Sequence, residues 1–513
     1  VQIQAVIKDI DIIHVSGILS GEVSAICYDS RNCERDSLFV AVSGLKLDGH
    51  AYIEEAVDRG AKFIVHEKDY APTPGVTSIR VPNSRAILGV LGKNFYSDPS
   101  SRLCLIGVTG TNGKTTVTYL LEAILKAAGF SVGVLGTVNY RFNDKVMPAP
   151  HTTPESYELH SILRIMVDKG VTHVVMEVSS HAVDLRRVDE CSFDMGIFTN
   201  LSQDHLDYHQ TLENYFQAKK RFFAEIIPAG KKKYAYRMII NGDDLWGQRI
   251  VGEVGSKLPY RTFGIENKCD MTADGYTFSL EGTRAEINAG GNRFAIFSPL
   301  IGKFNLYNIL ASVTAASALA IPERSIFAGV ENLKNVPGRL EKVSAPGEPV
   351  VFVDYAHTED AMQRVLQNLS PFKKGRIITV FGCGGDRDRG KRPLMGKAVT
   401  AWSDLAILTS DNPRTEDPLS IIGEIEKGMG GNSTRKLLPG ELKKNANEKG
   451  YVVIPDRREA IETAVTLADI SDIILIAGKG HENYQIIGEK RIPFDDRNVA
   501  REALMNKQHE AEH

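Results

Sequence analysis

Residues 107–116 read Gly-Val-Thr-Gly-Thr-Asn-Gly-Lys-Thr-Thr, directly after the apolar run Leu103-Cys104-Leu105-Ile106 and directly before a helix-like stretch from Val117 to Ala128. A strand feeding a glycine-rich turn and then a helix leaves backbone N–H groups aimed at one spot, where they and the helix N-terminus can hold a triphosphate. In that reading Gly110, Thr111, Asn112 and Gly113 form the cradle, Lys114 reaches the outer phosphates, and Thr115 and Thr116 open the helix, with the Thr115 hydroxyl placed to ligate Mg²⁺. The spacing departs from the strict phosphate-loop pattern, because Gly107 lies six residues before Gly113 and Gly110 stands between them. The pattern predicts ATP and Mg²⁺ as cofactors on an α/β scaffold.

The 513 residues exceed one core, and at roughly 150 residues per domain they predict about three domains. With 42% hydrophobic and 24% charged residues each piece can bury an ordinary core. A formal net charge of −3 offers no bulk attraction for nucleic acid or an anionic membrane, so an anionic substrate must be held by local clusters. The six cysteines, Cys27, Cys33, Cys104, Cys191, Cys269 and Cys383, show no CxxC pair or metal-finger spacing and read as reduced thiols of a cytoplasmic chain. No apolar run reaches the ~18 residues needed to cross a bilayer, and the N-terminus lacks a signal-peptide layout, so no membrane insertion is expected.

Alternating short strands (Ser37 to Val42, Lys62 to His66, Thr77 to Val81) and a helix near Tyr52 to Arg59 predict a small α/β domain over 1–99, closed by a loop-like linker from Asn94 to Arg102. From 100 to 335 the continuous apolar runs Leu103 to Val108, His173 to Glu177 and Met195 to Thr199 fit strands buried on both faces of a mostly parallel sheet. Period-two alternation from Met271 to Phe297 predicts an antiparallel appendage. A third α/β unit, 336–513, has strands at Val350 to Asp354, Arg376 to Phe381, Leu405 to Thr409 and Ile473 to Ala477. Each of these four ends in polar residues: Tyr355-Ala356-His357, Gly384-Gly385-Asp386-Arg387, Asp411-Asn412-Pro413-Arg414 and Gly478-Lys479-Gly480-His481-Glu482. Ligands of open α/β sheets bind outside the carboxyl ends of strands, so the four clusters predict one shared site.

Glu177 is the lone charge closing an apolar run, the placement a Mg²⁺–ATP site needs for a hard oxygen ligand. His205, in Asn-Leu-Ser-Gln-Asp-His-Leu-Asp-Tyr-His (200–209), is either a metal ligand or a satisfied polar group.

Gly-Thr-Asn-Gly-Lys-Thr-Thr, Met-Glu-Val-Ser-Ser-His (176–181), the 200–209 segment, Gly-Lys-Phe-Asn-Leu-Tyr-Asn (302–308), Pro-Gly-Arg-Leu-Glu (337–341) and Asp-Tyr-Ala-His-Thr (354–358) stand in the order found in the Mur ligases. The resemblance spans nearly the whole chain. It implies an N-terminal UDP-MurNAc-binding domain, a central ATPase domain and a Rossmann-like C-terminal amino-acid-binding domain, working as a monomer on small molecules. The implied activity is ATP-dependent amide-bond formation in peptidoglycan synthesis, through an acyl phosphate on the substrate's carboxylate. Carried over by residue, Lys114 and Thr115 serve phosphate and metal, Glu177 and His205 serve metal, Asn305 and Asn308 lie near adenine, and Arg339, Asp354 and His357 meet the nucleotide from the last domain. The family's carbamylated lysine maps to Lys219, with the adjacent Lys220 as the alternative. Ser30 and the loop Leu45-Lys46-Leu47 match uridine contacts. Thr152, Thr153, Ser179 and Arg187 match contacts to the UDP-MurNAc-L-Ala-D-Glu substrate, while a family glutamine is replaced by Leu185.

The resemblance also bears on the amine that is added. Asp411-Asn412-Pro413-Arg414 is the family's marker for meso-diaminopimelate, and Arg387, Gly478 and Glu482 match supporting positions. A guanidinium can grip the second carboxylate of diaminopimelate through two parallel hydrogen bonds, whereas lysine would leave it unpaired. A lysine-adding relative is the alternative.

Overall fold

The computed structural model describes residues 1–44, 47–230, 234–430, 434–442 and 448–512. The chain divides into two compact units, one of Val1–Ala273, Asn288–Arg293 and Tyr307–Gly329, the other of Asp274–Ile287, Phe294–Leu306 and Val330–His513.

The first unit holds two sheets. Its N-terminal sheet has the order His14–Ser16, Thr77–Arg80, Ala61–His66, Ser37–Val40, Ile26–Cys27, parallel except at the first pairing. The expected helix near Tyr52 begins as a 3₁₀ turn at Gly49–Tyr52 and continues as Ile53–Asp58. The stretch read as a linker is partly ordered as the end of helix Ser84–Phe95 and the 3₁₀ turn Pro99–Arg102, where Pro99 opens the turn.

In the central sheet of this unit Tyr260–Gly264, Met238–Asn241, Met195–Phe198, Cys104–Thr109, His173–Glu177 and Val132–Leu135 lie side by side and parallel. Every residue of Cys104–Thr109 is buried, as a strand covered by helices on both faces requires. The core beneath the site is aromatic: Phe193, Phe198, Phe222 and Phe223 are fully buried together. Gly107 and Gly196 admit these rings, since a Cβ on either would lie 2.9 Å or less from a Phe222 carbon. The predicted appendage is present as the strands Met271–Ser279, Gly282–Ala289 and Asn292–Ser298, joined by two-residue turns.

In the second unit the sheet order is Glu341–Lys342, Val350–Asp354, Ile473–Ala477, Ile377–Phe381, Leu405–Leu408, Gly450–Val453, Arg435–Lys436. The five strands from Val350–Asp354 to Gly450–Val453 are parallel. Alternate residues face two cores. Phe352, Phe381 and Leu475 pack under helices Glu359–Leu369, Lys391–Trp402 and Pro418–Met429. Val353, Val380 and Ile476 pack under Arg457–Leu467 and Asp496–Glu512. The last of these five in sequence, Ile473–Ala477, thus inserts between Val350–Asp354 and Ile377–Phe381, and the chain leaving it goes to the face opposite its neighbours' helices. That reversal opens a crevice at the carboxyl edge.

Candidate functional site

Helix Lys114–Ala127 starts three residues earlier than its apolar pattern suggests, because Gly113, at φ +88°, serves as its N-cap. The loop before it is shaped by close approach. A Cβ on Gly110 would sit 1.9 Å from Thr199 Oγ1, and one on Gly113 would sit 2.3 Å from Asn308 Oδ1. The segment after strand Met195–Phe198 braces the loop. Asn200 accepts from Thr111 N (2.8 Å) and, through Oδ1, from Asn112 N (3.0 Å), Thr199 Oγ1 donates to Asn112 O (2.6 Å), and Ser202 N donates to Thr111 Oγ1 (3.0 Å). Thr115 and Thr116 are buried at the helix start.

Lys114 Nζ donates to the Gly110 (3.0 Å) and Thr111 (2.8 Å) carbonyls. Lys219 Nζ, 1% exposed on helix Leu212–Arg221, donates to the same Gly110 carbonyl at 2.9 Å and lies 4.5 Å from the centre of the Tyr215 ring. Burial pushes the Lys219 amine well below its ordinary range, and the Lys114 cation adds to the shift while Asp204 opposes it. Its neighbour Lys220 faces outward to Glu253 Oε2 at 2.7 Å. Tyr215, which the sequence reading passed over, also contacts Thr111 Oγ1 through its hydroxyl at 3.2 Å.

Glu177, 1% exposed, ends the strand beside the phosphate loop. Its carboxylate accepts from Thr137 N and Thr137 Oγ1, both at 3.0 Å, and Thr137 Oγ1 lies 3.0 Å from Thr152 Oγ1. Thr153 Oγ1 donates to Glu177 O (2.8 Å) and sits 3.4 Å from Ser179 Oγ, which caps helix Ser180–Asp184. Arg187 completes the cluster, bonded to Thr153 O at 3.2 Å and to Glu155 at 2.8 Å. His205 adopts φ +53° and packs edge-on to His181, ring centres 4.8 Å apart, near Tyr215. Its side chain is 46% exposed, and its partial desolvation, with the Lys114 charge adding and Asp204 opposing, lowers the imidazole below the usual range. Among the described residues no three His, Cys, Asp or Glu side chains converge as a metal cluster.

In the second unit all four polar clusters lie at the carboxyl edge of adjacent parallel strands. Arg414, at φ +52° and half-buried, donates from Nη1 to Gly385 O at 2.6 Å, and its backbone pairs with Ile486 and Gly488. A Cβ on Gly384 would lie 2.9 Å from Arg414 Nη1 and 3.9 Å from Arg387 Cγ, so both arginines border that glycine. Arg387 is exposed and bonds Asp386 O. Asp411 and Asn412 are buried, and Asn412 Nδ2 donates to Glu482 Oε2 at 2.8 Å. A Cβ on Gly478 would meet Asp411 Oδ2 at 2.4 Å. Arg392, fully buried, ties Glu416, Glu424 and the Gly384 carbonyl together beneath the loops.

Three family models cover these elements: the Mur ligase family catalytic domain at 22–96, the Mur ligase middle domain at 108–316, and the Mur ligase glutamate ligase domain at 338–480. A relative from Geobacter metallireducens, named UDP-N-acetylmuramoyl-L-alanyl-D-glutamate--2,6-diaminopimelate ligase, is 46% identical over 94% of both chains. The chain belongs to the Mur ligase family.

Mur ligases are ATP-dependent enzymes that form amide bonds. A Geobacter sulfurreducens protein of the same name as the first relative is 45% identical over 96% of each chain. A solved structure of a ligase with that name superposes with TM-score 0.70 at 31% identity, covering 99% of each chain. The MurF ligase from Thermotoga maritima in complex with ADP shares the fold at 19% identity, TM-score 0.59, over 95% of this chain and 97% of its own.

The remaining expected positions of this Mur ligase are dispersed between the two units. Asn308, beside Gly113, belongs to the first, and Asn305, whose Nδ2 donates to Ile301 O at 2.9 Å, to the second. Arg339 stacks on Tyr355 at 4.6 Å, buried Asp354 accepts from Leu340 N and Ala356 N, and exposed His357 bonds Tyr355 O. Burial raises the Asp354 carboxyl above its ordinary range, the Arg339 charge opposing it. Ser30 is buried and donates to Glu55 at 2.9 Å, and Leu47 is exposed, while Leu45 and Lys46 lie outside the described residues. Among the described residues no helix is long and apolar enough to cross a membrane.

Proposed function

We propose that this Mur ligase joins meso-2,6-diaminopimelate to UDP-N-acetylmuramoyl-L-alanyl-D-glutamate at the expense of ATP, as a cytoplasmic monomer in peptidoglycan precursor synthesis. The half-buried Arg414 at the crevice edge, with Arg387 beside the same glycine and Glu482 at the same edge two strands along, is the observation that carries the choice of amine. It supplies a fixed positive fork for the distal carboxylate and an acid for the distal ammonium. Offered lysine, the fork would stay unpaired, and a site built around a polar partner rejects the analogue lacking it by about 10⁴-fold.

In the mechanism, the loop amides of Gly110–Thr116 and the Lys114 ammonium bind the triphosphate. Thr152, Thr153, Ser179 and Arg187 orient the dipeptide so that its terminal carboxylate meets the outer phosphate. The carboxylate takes the phosphoryl group to become an acyl phosphate, and the amine held in the C-terminal crevice displaces phosphate. Two anions must meet in the first step, so positive charge has to offset their repulsion. A bound Mg²⁺ would supply that charge, and Thr115, the buried Glu177, His205 and Lys219 as a carbamate would offer it oxygen and nitrogen ligands. The depressed basicity of Lys219 leaves a neutral amine that would add CO₂ with release of one proton, so that a carboxylate oxygen stands where the buried amine was.

ADP release with the UDP-dipeptide and a panel of amines tests this reading. Turnover is expected with diaminopimelate and not with lysine. Turnover with lysine instead, or ADP release independent of any amine, would overturn it.

A further inference from the structure

We propose that Lys479 is a positioning residue for the amine donor, its buried ammonium fixing the Asn412 side chain and, through it and directly, the Glu482 carboxylate. The inference rests on reading the carboxyl edge of the second unit as the amine pocket.

Lys479 sits in the turn that follows strand Ile473–Ala477, between Gly478 at φ +111° and Gly480 at φ +53°. Neither glycine can take a side chain. A Cβ on Gly478 would meet Asp411 Oδ2 at 2.4 Å, and one on Gly480 would meet Tyr355 Cβ at 2.7 Å. The tight turn puts the Lys479 side chain fully out of solvent, 0% exposed, with Nζ 5.5 Å from the centre of the Tyr484 ring. A methionine would fill the same space without the cost of desolvating a cation, so the charge needs a reason.

Its partners give one. Nζ donates to Asn412 Oδ1 and to Glu482 Oε2, both at 3.1 Å. Asn412 Oδ1 also accepts from Ile486 N at 2.9 Å. Two groups that can only donate therefore converge on one end of the amide, which settles which end is oxygen and turns Nδ2 toward Glu482 Oε2 at 2.8 Å. Glu482 Oε2, in the turn after Ile473–Ala477, is thus held by two donors, with Ile377–Phe381 standing between that strand and Leu405–Leu408, which leads to Arg414. Without Lys479 the amide could flip, the carboxylate would lose its charged partner, and Glu482 would swing free of the position from which it meets an incoming ammonium.

Lys479→Met tests this, with Lys479→Gln, which keeps an N–H donor, as the second variant should the first be poorly folded. Steady-state kinetics are measured with the amine varied, using whichever amine of the panel the wild type turns over. A wild type that prefers an amine other than diaminopimelate counts against the proposed function and leaves this test intact. The KM for the amine is expected to rise about tenfold to a hundredfold in Lys479→Met, less in Lys479→Gln, with the KM values for ATP and UDP-dipeptide unchanged. In a Glu482→Gln background the same Lys479→Met change should add less than about twofold, because its effect runs through Glu482. An unchanged amine KM, or an equal effect in both backgrounds, would overturn the proposal.

Discussion

Replacing Lys219 by methionine separates catalysis from stability. The side chain makes one hydrogen bond, to Gly110 O at 2.9 Å, worth about 1 kcal/mol net. Lys114 Nζ lies 3.0 Å from that oxygen, so the two nitrogens are at most about 6 Å apart, and burial together with the Lys114 cation holds the unmodified Lys219 amine well below its ordinary range. A neutral amine leaves no charge repulsion to relieve, so the substitution costs little beyond that bond, and the midpoint of thermal unfolding is expected to change by no more than a few degrees. Activity should fall by at least about 100-fold, since an oxygen ligand next to the phosphate loop is lost, and added bicarbonate should not restore it. Carbon-13 NMR after incubation with labelled bicarbonate should show a carbamate resonance in the wild type and in Lys220→Met, whose native side chain points out to Glu253, and none in Lys219→Met. A Lys219→Met enzyme with near wild-type turnover, or a carbamate signal that survives it, would refute the reasoning.

Gly113→Ala forces a left-handed residue to carry a Cβ that would lie 2.3 Å from Asn308 Oδ1. Stability should drop by about 1–2 kcal/mol and ATP affinity by tenfold or more, read by thermal unfolding and nucleotide titration, and unchanged ATP affinity would contradict the loop assignment. Asp472, 2% exposed, accepts from Arg376 N, Nε and Nη2 and from Asp469 N. Burial alone would raise this carboxyl, but those bonds outweigh it and hold it below 3.8. Its contribution is therefore present above pH 3.8 and lost as pH falls through the lowered value. Asp472→Asn should cost about 3–5 kcal/mol at pH 7 in denaturant unfolding, with the gap to wild type closing in acid. A gap independent of pH would contradict that assignment.

The strands His173–Glu177, Val350–Asp354 and Ile473–Ala477 were legible to the residue, because each is built on an apolar run that stops at an acid or, for the last, at a glycine. The start of helix Lys114–Ala127 was not, since Lys-Thr-Thr carries no apolar periodicity and the turn at Gly113 depends on contacts with Thr199, Asn200 and Asn308 from distant segments. Lys219 could have been separated from Lys220 by helical spacing, being four residues after Tyr215 and three before Phe222, both buried. Lys479 lacked such a signal. Its burial follows from strand order, in which Ile473–Ala477 inserts between Val350–Asp354 and Ile377–Phe381 and the Gly-Lys-Gly turn after it meets Asp411 and Asn412.

The choice of amine is tested most directly by competition. Wild-type enzyme, ATP and UDP-dipeptide are mixed with equimolar meso-diaminopimelate and lysine, and the product is weighed by mass spectrometry beside that of Arg414→Ala. The wild type should yield the diaminopimelate adduct in an excess approaching 10⁴-fold, and Arg414→Ala should lose most of that preference while still binding ATP. Comparable amounts of both adducts from the wild type, or undiminished preference in Arg414→Ala, would contradict the account.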